Sequence, residues 1–344
     1  MGSGLRQQTR PPRRRSPGQG LARLHAQRAG HTASPRGVNP AGHDQQVILL
    51  QQVCTAAGLD PRGALRLPGR ANAVYQLPHA NAVARLRQTH NSPEWDRRMS
   101  ASVQVTHWLA EQGYPAVRPL DAVAQPVTVD GWTATFWRYE APDGDVTSAH
   151  VTDLARLLRR LHTLPTPPIE LPATDPLGSL PNDLHQHPEA LTRQQRDWLH
   201  RRCADISAAY PTAAMPPELD HGLIHGDAHT GNLIAARGGF VFCDWDSVSY
   251  GPRAQDLIPS LYGVVRLGSP RTSWLEMCSA YGIDPDLEHH PGMRLLHQAR
   301  EIRALAAYIR AAAGSVAAKS ELDKRMRTLM TGEDAIWHAP QGFR

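Results

Sequence analysis

The run Gly222-Leu-Ile-His-Gly-Asp-Ala-His-Thr-Gly-Asn-Leu-Ile234, followed by Val241-Phe-Cys-Asp-Trp-Asp246 and Gly251-Pro-Arg-Ala-Gln-Asp-Leu257, concentrates the chemistry of this 344-residue chain. A short apolar strand delivers His225, Gly226 and Asp227 into a tight loop, and Asn232 follows just before another apolar run. A second strand delivers Asp244. An Asn amide oxygen and an Asp carboxylate are hard ligands, the kind Mg²⁺ takes beside water and phosphate oxygens. A separate carboxylate at a loop tip accepts a proton from a hydroxyl. Together they form a set suited to phosphoryl transfer, which asks for positioning and charge neutralisation more than for covalent chemistry.

The block resembles the aminoglycoside phosphotransferase and choline kinase-like family, which has the eukaryotic-like kinase fold. The family pattern H-G-D-x-x-x-x-N followed by D-x-D is met by His225, Gly226, Asp227, Asn232, Asp244 and Asp246, and the later G-x-x-x-x-D-L by Gly251, Asp256 and Leu257. Upstream, Gly69-Arg-Ala-Asn72 resembles the nucleotide-covering turn, Val83-Ala-Arg85-Leu the strand bearing the phosphate-binding cation, and Thr135-Phe-Trp-Arg-Tyr139 the strand entering the hinge. The resemblance spans about residues 60–310.

The resemblance implies a role for each of these residues. Asp227 is the catalytic base, and Asn232 and Asp244 hold Mg²⁺. Asn72, Arg85 and the backbone of Arg138, Tyr139 and Glu140 hold ATP, with GTP as the alternative donor. His225, Asp246 and Asp256 support the catalytic loop. Two departures stand out. The family often has lysine on the third strand, but the chain has only Lys319 and Lys324, so Arg85 takes that place, with Arg87 on the same strand face. The glutamate expected in the following helix is not evident. Ser102 and Val103 occupy its region, while Glu94 and Glu111 lie nearer the helix ends.

Outward from this block, the pattern reads as α+β: a bilobal protein kinase-like fold with a small mixed β-sheet N-lobe and a larger, mainly helical C-lobe. Residues 1–43 read as a disordered basic arm, with a mis-called start as the other reading; 44–140 form the N-lobe and 141–338 the C-lobe. Asp44 opens a helix ending by Gly58. Strands are expected at 65–67, 73–77, 82–86 and, as one element, 127–139. Ser92-Pro93-Glu94 starts a helix that Gly113 stops. Val151, Leu154, Leu158 and Leu161 make a helical stripe, and Leu295, Ala299, Ile302, Leu305 and Ile309 another.

Charge and cysteine usage exclude several classes. The chain carries +5, but residues 1–43 hold eight arginines and no acid, so the remainder is net acidic and unsuited to coating nucleic acid. No apolar run approaches the ~18 residues that span a bilayer. The four cysteines form no CxxC pair, which reads as reduced thiols and a cytoplasmic protein. His225-x-Asp227-x-His229 with His221 could open a metallohydrolase site, but no histidine accompanies Asp244–Asp246.

The partner that follows is a small-molecule hydroxyl acceptor: an antibiotic, sugar or metabolite. Residues 251–344 hold more Lys and Arg than Asp and Glu, which argues against a polycationic acceptor. A nucleotide-binding pseudokinase is the second reading, motivated by the missing helix glutamate. A protein kinase is the third, weakened by the short stretch between Asp246 and Gly251.

Overall fold

The computed structural model describes residues 40–67, 72–141 and 148–338. The expectations for the basic arm up to residue 39 and for Gly69, Arg70 and Ala71 lie outside these residues. Contacts divide the chain into a unit of residues 1–48 and a unit of residues 49–344. In the first, the described residues form the opening turns of α1 (Pro40–Ala56), which starts on a proline rather than at Asp44. Proline suits a first helical position because its missing N–H has no intrahelical acceptor there. Everything below concerns the second unit.

Five strands form the sheet: β1 (Leu65–Leu67), β2 (Ala73–Leu77), β3 (Ala82–Gln88), β4 (Val127–Val129) and β5 (Trp132–Arg138). Their order is β1-β2-β3-β5-β4, with every neighbouring pair antiparallel. The stretch 127–139 is therefore a hairpin and not one strand. Asp130 and Gly131 both have positive φ, 49° and 76°, and an Asp-Gly pair between alternating residues favours the tight turn that matches strand twist. Along β3, Ala82, Ala84 and Leu86 are buried, so Val83, Arg85 and Arg87 take the opposite face. The buried face packs Leu77, Leu86 and Phe136 against Leu50 and Val53 of α1.

Helix α2 (Pro93–Glu111) opens with Pro93, Glu94 and Asp96 in its first turn, a charge placement that the helix dipole favours. Its Val103, Val105 and Trp108 belong to the same core as Trp137 of the sheet and Trp245 of the helical lobe, so one apolar cluster ties the two lobes together. That core continues through α3 (Val151–His162), where Leu154, Leu158 and Leu161 are fully buried. Each contributes about 1.5–3 kcal/mol of burial.

The helical lobe continues with α4 (Leu180–Gln186), α5 (Arg193–Ala209), the pairs β6 (His221–Ile224) with β9 (Ser249–Pro252) and β7 (Leu233–Ala236) with β8 (Gly239–Phe242), then α6 (Ile258–Leu267) and α7 (Arg271–Tyr281). The stripe read over residues 295–309 is shared by α8 (Pro291–Arg303) and α9 (Ala306–Ala311), with a turn at Ala304 and Leu305 between them that keeps right-handed backbone angles. With α10 (Val316–Thr331) they build a second core around Leu199, Ile302, Leu305 and Leu322. Among the described residues no helix is long and apolar enough to cross a membrane.

Candidate active site

Strand β6 ends at His225, a fully buried ring stacked on Phe242 with centroids 4.0 Å apart. Its Nε2 donates to the Cys243 carbonyl at 3.0 Å, and its Nδ1 accepts the Asp227 N–H at 3.3 Å. These bonds assign the Nε2–H tautomer and tie the loop after β6 to the loop after β8. Gly226 follows with φ 83°, and a side chain there would place Cβ 2.1 Å from the Ser247 carbonyl oxygen. Only glycine permits this approach of two backbones.

Asp256 fastens the loop from beneath. It is fully buried, and its two oxygens accept the backbone N–H groups of His225 and Gly226, each at 2.8 Å. His162 of α3 adds a contact at 3.1 Å and is bonded in turn to the Tyr281 hydroxyl at 2.7 Å. Four separated segments therefore hold one loop.

Asp227 sits at the loop tip. Its carboxylate lies 3.5 Å from Arg300 and 3.7 Å from His229. Burial pushes its pKa up, but Arg300, His229 and other nearby cations outweigh that and hold the carboxyl below its ordinary value. The group is thus a carboxylate at neutral pH, ready to accept a hydrogen bond from a hydroxyl. Asn232 donates its Nδ2 to the Asp227 carbonyl at 2.9 Å, and its own carbonyl accepts the Cys243 N–H at 2.9 Å. The bond from Nδ2 leaves the Asn232 amide oxygen as the group for a cation. The second bond places Asn232 beside Asp244, which has left-handed geometry with φ 65°.

The cation on β3 lies on the other side of Asp244. Arg85 donates one Nη to Asp244 at 2.6 Å and the other to Asp246. With the Asn72 amide oxygen turned toward it, Arg85 Nε also donates to Asn72 at 3.1 Å. Arg87, on the same face, lies 3.5 Å from Asp246 and stacks over Trp95. In α2, Ser102 and Val103 are buried and Glu94 pairs with Arg98. The carboxylate missing from the helix is thus replaced by Asp246, from the loop after β8. Sequence reasoning gave Asp246 to the catalytic loop and missed this contact.

At the exit of β5, the Arg138 N–H donates to the Arg118 carbonyl at 2.8 Å and the Tyr139 N–H to the Asn81 carbonyl at 3.0 Å. Both amides are thus engaged within the protein. The Arg138 side chain turns away to Asp121. Glu140 is half-buried at the end of the same segment.

Among the described residues no group of three or more His, Cys, Asp or Glu converges as a metal cage. Asn232 and Asp244 offer two hard oxygens that could hold a divalent ion beside water and phosphate. Mg²⁺ suits such a set, since it dehydrates reluctantly and rarely takes an all-protein cage. Asp244 keeps 40% of its side chain exposed while one oxygen faces Arg85, which is compatible with that fit.

The profile of the phosphotransferase enzyme family matches residues 64–296, which include the sheet, the loop of Asp227 and the loop of Asp244. The chain belongs to this family. No curated protein matches it in sequence. Solved structures share its fold at low identity. The amicoumacin kinase hAmiN, in complex with AMP-PNP, Ca²⁺ and Ami, is 14% identical with a TM-score of 0.62, covering 85% of this chain and 94% of its own. The microcompartment-associated aminopropanol kinase is 15% identical with a TM-score of 0.58, covering 87% and 99%. A choline/ethanolamine kinase family protein from Mesorhizobium loti is 16% identical with a TM-score of 0.53, covering 84% and 94%. The kinase-like fold is common to all three. Family membership makes phosphoryl transfer to a small molecule the activity that this geometry has to serve.

Proposed function

We propose that the protein moves the γ-phosphoryl group of ATP to a hydroxyl of a small molecule, with Asp227 as the base. The observation that carries this reading is the juxtaposition of Asp227, Asn232 and Asp244. The Asn232 side chain bonds the Asp227 carbonyl and its backbone bonds the residue before Asp244. A group that orients a hydroxyl and a pair of oxygens suited to a divalent ion therefore share one small frame.

Asp227 accepts the hydrogen bond of the acceptor hydroxyl and takes its proton late, because a loose transition state demands little of a base. Arg85, paired here with Asp244 and Asp246, would turn its planar fork to the nucleotide phosphates when they bind, and a fork suits phosphate oxygens better than a point charge does. Asp246 keeps that fork aimed. Asn232 and Asp244 would hold Mg²⁺, which would neutralise charge on the nucleotide phosphates. Asp256 and His225 fix the loop so that Asp227 does not have to be reoriented during transfer. The backbone from Arg138 to Glu140 would hold the base of the nucleotide. A reaction that consumes ATP favours a cytoplasmic location, where ATP is supplied.

The pseudokinase reading drew its force from the absent helix glutamate, and Asp246 removes that motive. Thermal melting with and without Mg·ATP, beside an Asp244→Asn variant, tests the proposal. A ligand at 100 times its dissociation constant adds about 2.7 kcal/mol to the native state. The expected result is a Mg-dependent upward shift that Asp244→Asn loses. A well-folded protein with no shift on either ATP or GTP would overturn the reading.

A further inference from the structure

Beside Gly226 of the Asp227 loop lies a narrow cleft whose enclosed volume, about 20 Å³, is that of about one water molecule. Its lining runs from Pro176 to Arg303, so the helical lobe alone supplies its walls. Gly226 forms one end, beside Asp227. Ile258, Leu296 and Ala299 make the apolar walls, and Arg300 and Arg303 of α8 supply the charge. No carboxylate residue is in the lining.

The two arginines are three positions apart on one helix, so they share a face. Neither is satisfied by the protein in the ordinary way. Arg300 lies 3.5 Å from Asp227 and 5.7 Å from the centre of the Tyr262 ring, and its buried Nε has no hydrogen-bond partner among the described residues. Arg303 reaches the Asp175 carbonyl at 3.4 Å, a long bond, and packs against the backbone of Gly178. The carboxylate of Asp175 itself receives the Leu177 N–H. Burial and the neighbouring Arg300 disfavour the charge on Arg303, Asp227 and Asp175 favour it, Arg98 of α2 adds a smaller unfavourable effect, and the balance lowers its pKa. Placing two half-buried guanidiniums together costs free energy, and a bidentate oxyanion is the partner that offsets it best.

Resting on the phosphotransfer reading, we infer that the acceptor is a compact hydroxylated acid, whose carboxylate or phosphate is held by Arg300 and Arg303 while its hydroxyl meets Asp227. An amine acceptor would bring a cation against two cations and lose affinity accordingly. The walls contain no residue of the sheet, which separates this cation pair from Arg85 on the nucleotide side.

Calorimetric titration of the full chain, with its nucleotide site filled by Mg·AMP-PNP, tests the inference. The probes are matched sets: glucuronate, glucose and glucosamine; glycerate, glycerol and 2-amino-1,3-propanediol. Glucose 1-phosphate and glycerol 3-phosphate distinguish a phosphate from a carboxylate. The expected result is that an acid binds at least tenfold more tightly than its neutral and amine mates. Arg303→Gln should remove that preference, and Arg303→Glu should turn it toward the amine, a reversal that a merely structural arginine would not produce. Melting temperature serves as the folding control. Equal or tighter binding of neutral or amine probes, binding by no probe, or a loss in Arg303→Gln confined to AMP-PNP affinity would each overturn the inference. Absence of Mg-dependent AMP-PNP binding in the first titration would count instead against the phosphotransfer reading itself.

Discussion

The two sides of the Asp227 loop are electrostatic mirror images. On the nucleotide side, one cation, Arg85, is surrounded by Asp244 and Asp246. On the cleft side, one carboxylate, Asp227, is faced by Arg300 with Arg303 beyond it. In both places burial disfavours the central charge, and in both its neighbours outweigh burial. Arg85 has two close carboxylate partners, whereas Asp227 has two looser contacts, Arg300 at 3.5 Å and His229 at 3.7 Å. The first arrangement holds its charge firmly. The second leaves its carboxylate able to exchange a protein partner for a substrate hydroxyl.

Removing the central charge on the cleft side should give the largest effect. Asp227→Ala is expected to lower kcat by about 10²–10⁴-fold, the range for loss of a positioned base. Nucleotide affinity should be nearly unchanged. A coupled assay for ADP release and a nucleotide titration check both parts, and a parallel loss of nucleotide binding would remove the distinction between the two sides. The matching break on the other side is Asp246→Ala. Stripping one partner from a buried pair costs about 3–5 kcal/mol, and the lower end is expected because Asp244 still faces Arg85. Urea unfolding measures it.

A gentler change sharpens the contrast. Arg85→Lys keeps the charge but loses the fork that serves Asp244 and Asp246 together. The KM for ATP should rise about tenfold, equivalent to ~1.4 kcal/mol, with a smaller change in kcat. Steady-state kinetics in varied ATP decide it.

The smallest effect is expected at Arg271 and Glu288, an ion pair outside both clusters with Arg271 half exposed. Its hydrogen bond to Arg271 holds the Glu288 carboxyl below its ordinary value. A depressed carboxyl stabilises the fold above its unfolded pKa, near 4.5, and that contribution is lost as pH falls through the lower folded value. Arg271→Gln should therefore reduce stability at pH 7 by under about 1 kcal/mol, with the difference from wild type vanishing toward pH 3. Melting curves across that range test it.

What the sequence made legible follows the same division. Asp227, Asn232 and Asp244 are brought together by short strands and tight loops, so their spacing along the chain nearly dictates their spacing in space. Arg85 was identifiable from its strand and from the scarcity of lysine, and β3 has the expected face. Its partner was not, because Asp246 comes from a loop 161 residues away and no local pattern encodes that meeting. Arg300 and Arg303 were hidden for a different reason. On α8 the readable signal was the apolar stripe, and arginines beside such a stripe resemble an ordinary solvated face. Their three-residue spacing was the available clue, but only the packing of α8 beside the Asp227 loop gives it meaning. The hairpin at Asp130-Gly131 was readable from turn chemistry and was lost to the stronger impression of a continuous aromatic strand.

Asp256 anchors the loop of Asp227 from below, whereas the cation pair of the cleft belongs to α8. On the proposed reading, the part that performs chemistry and the part that selects what is acted upon sit on separate pieces of chain. Substitutions along the cleft face of α8 can exchange one guest for another while the loop and its buried anchor stay intact. A lineage built on this plan can diversify its diet without reinventing its reaction, and an engineer can randomise a few positions on one helix with the same licence.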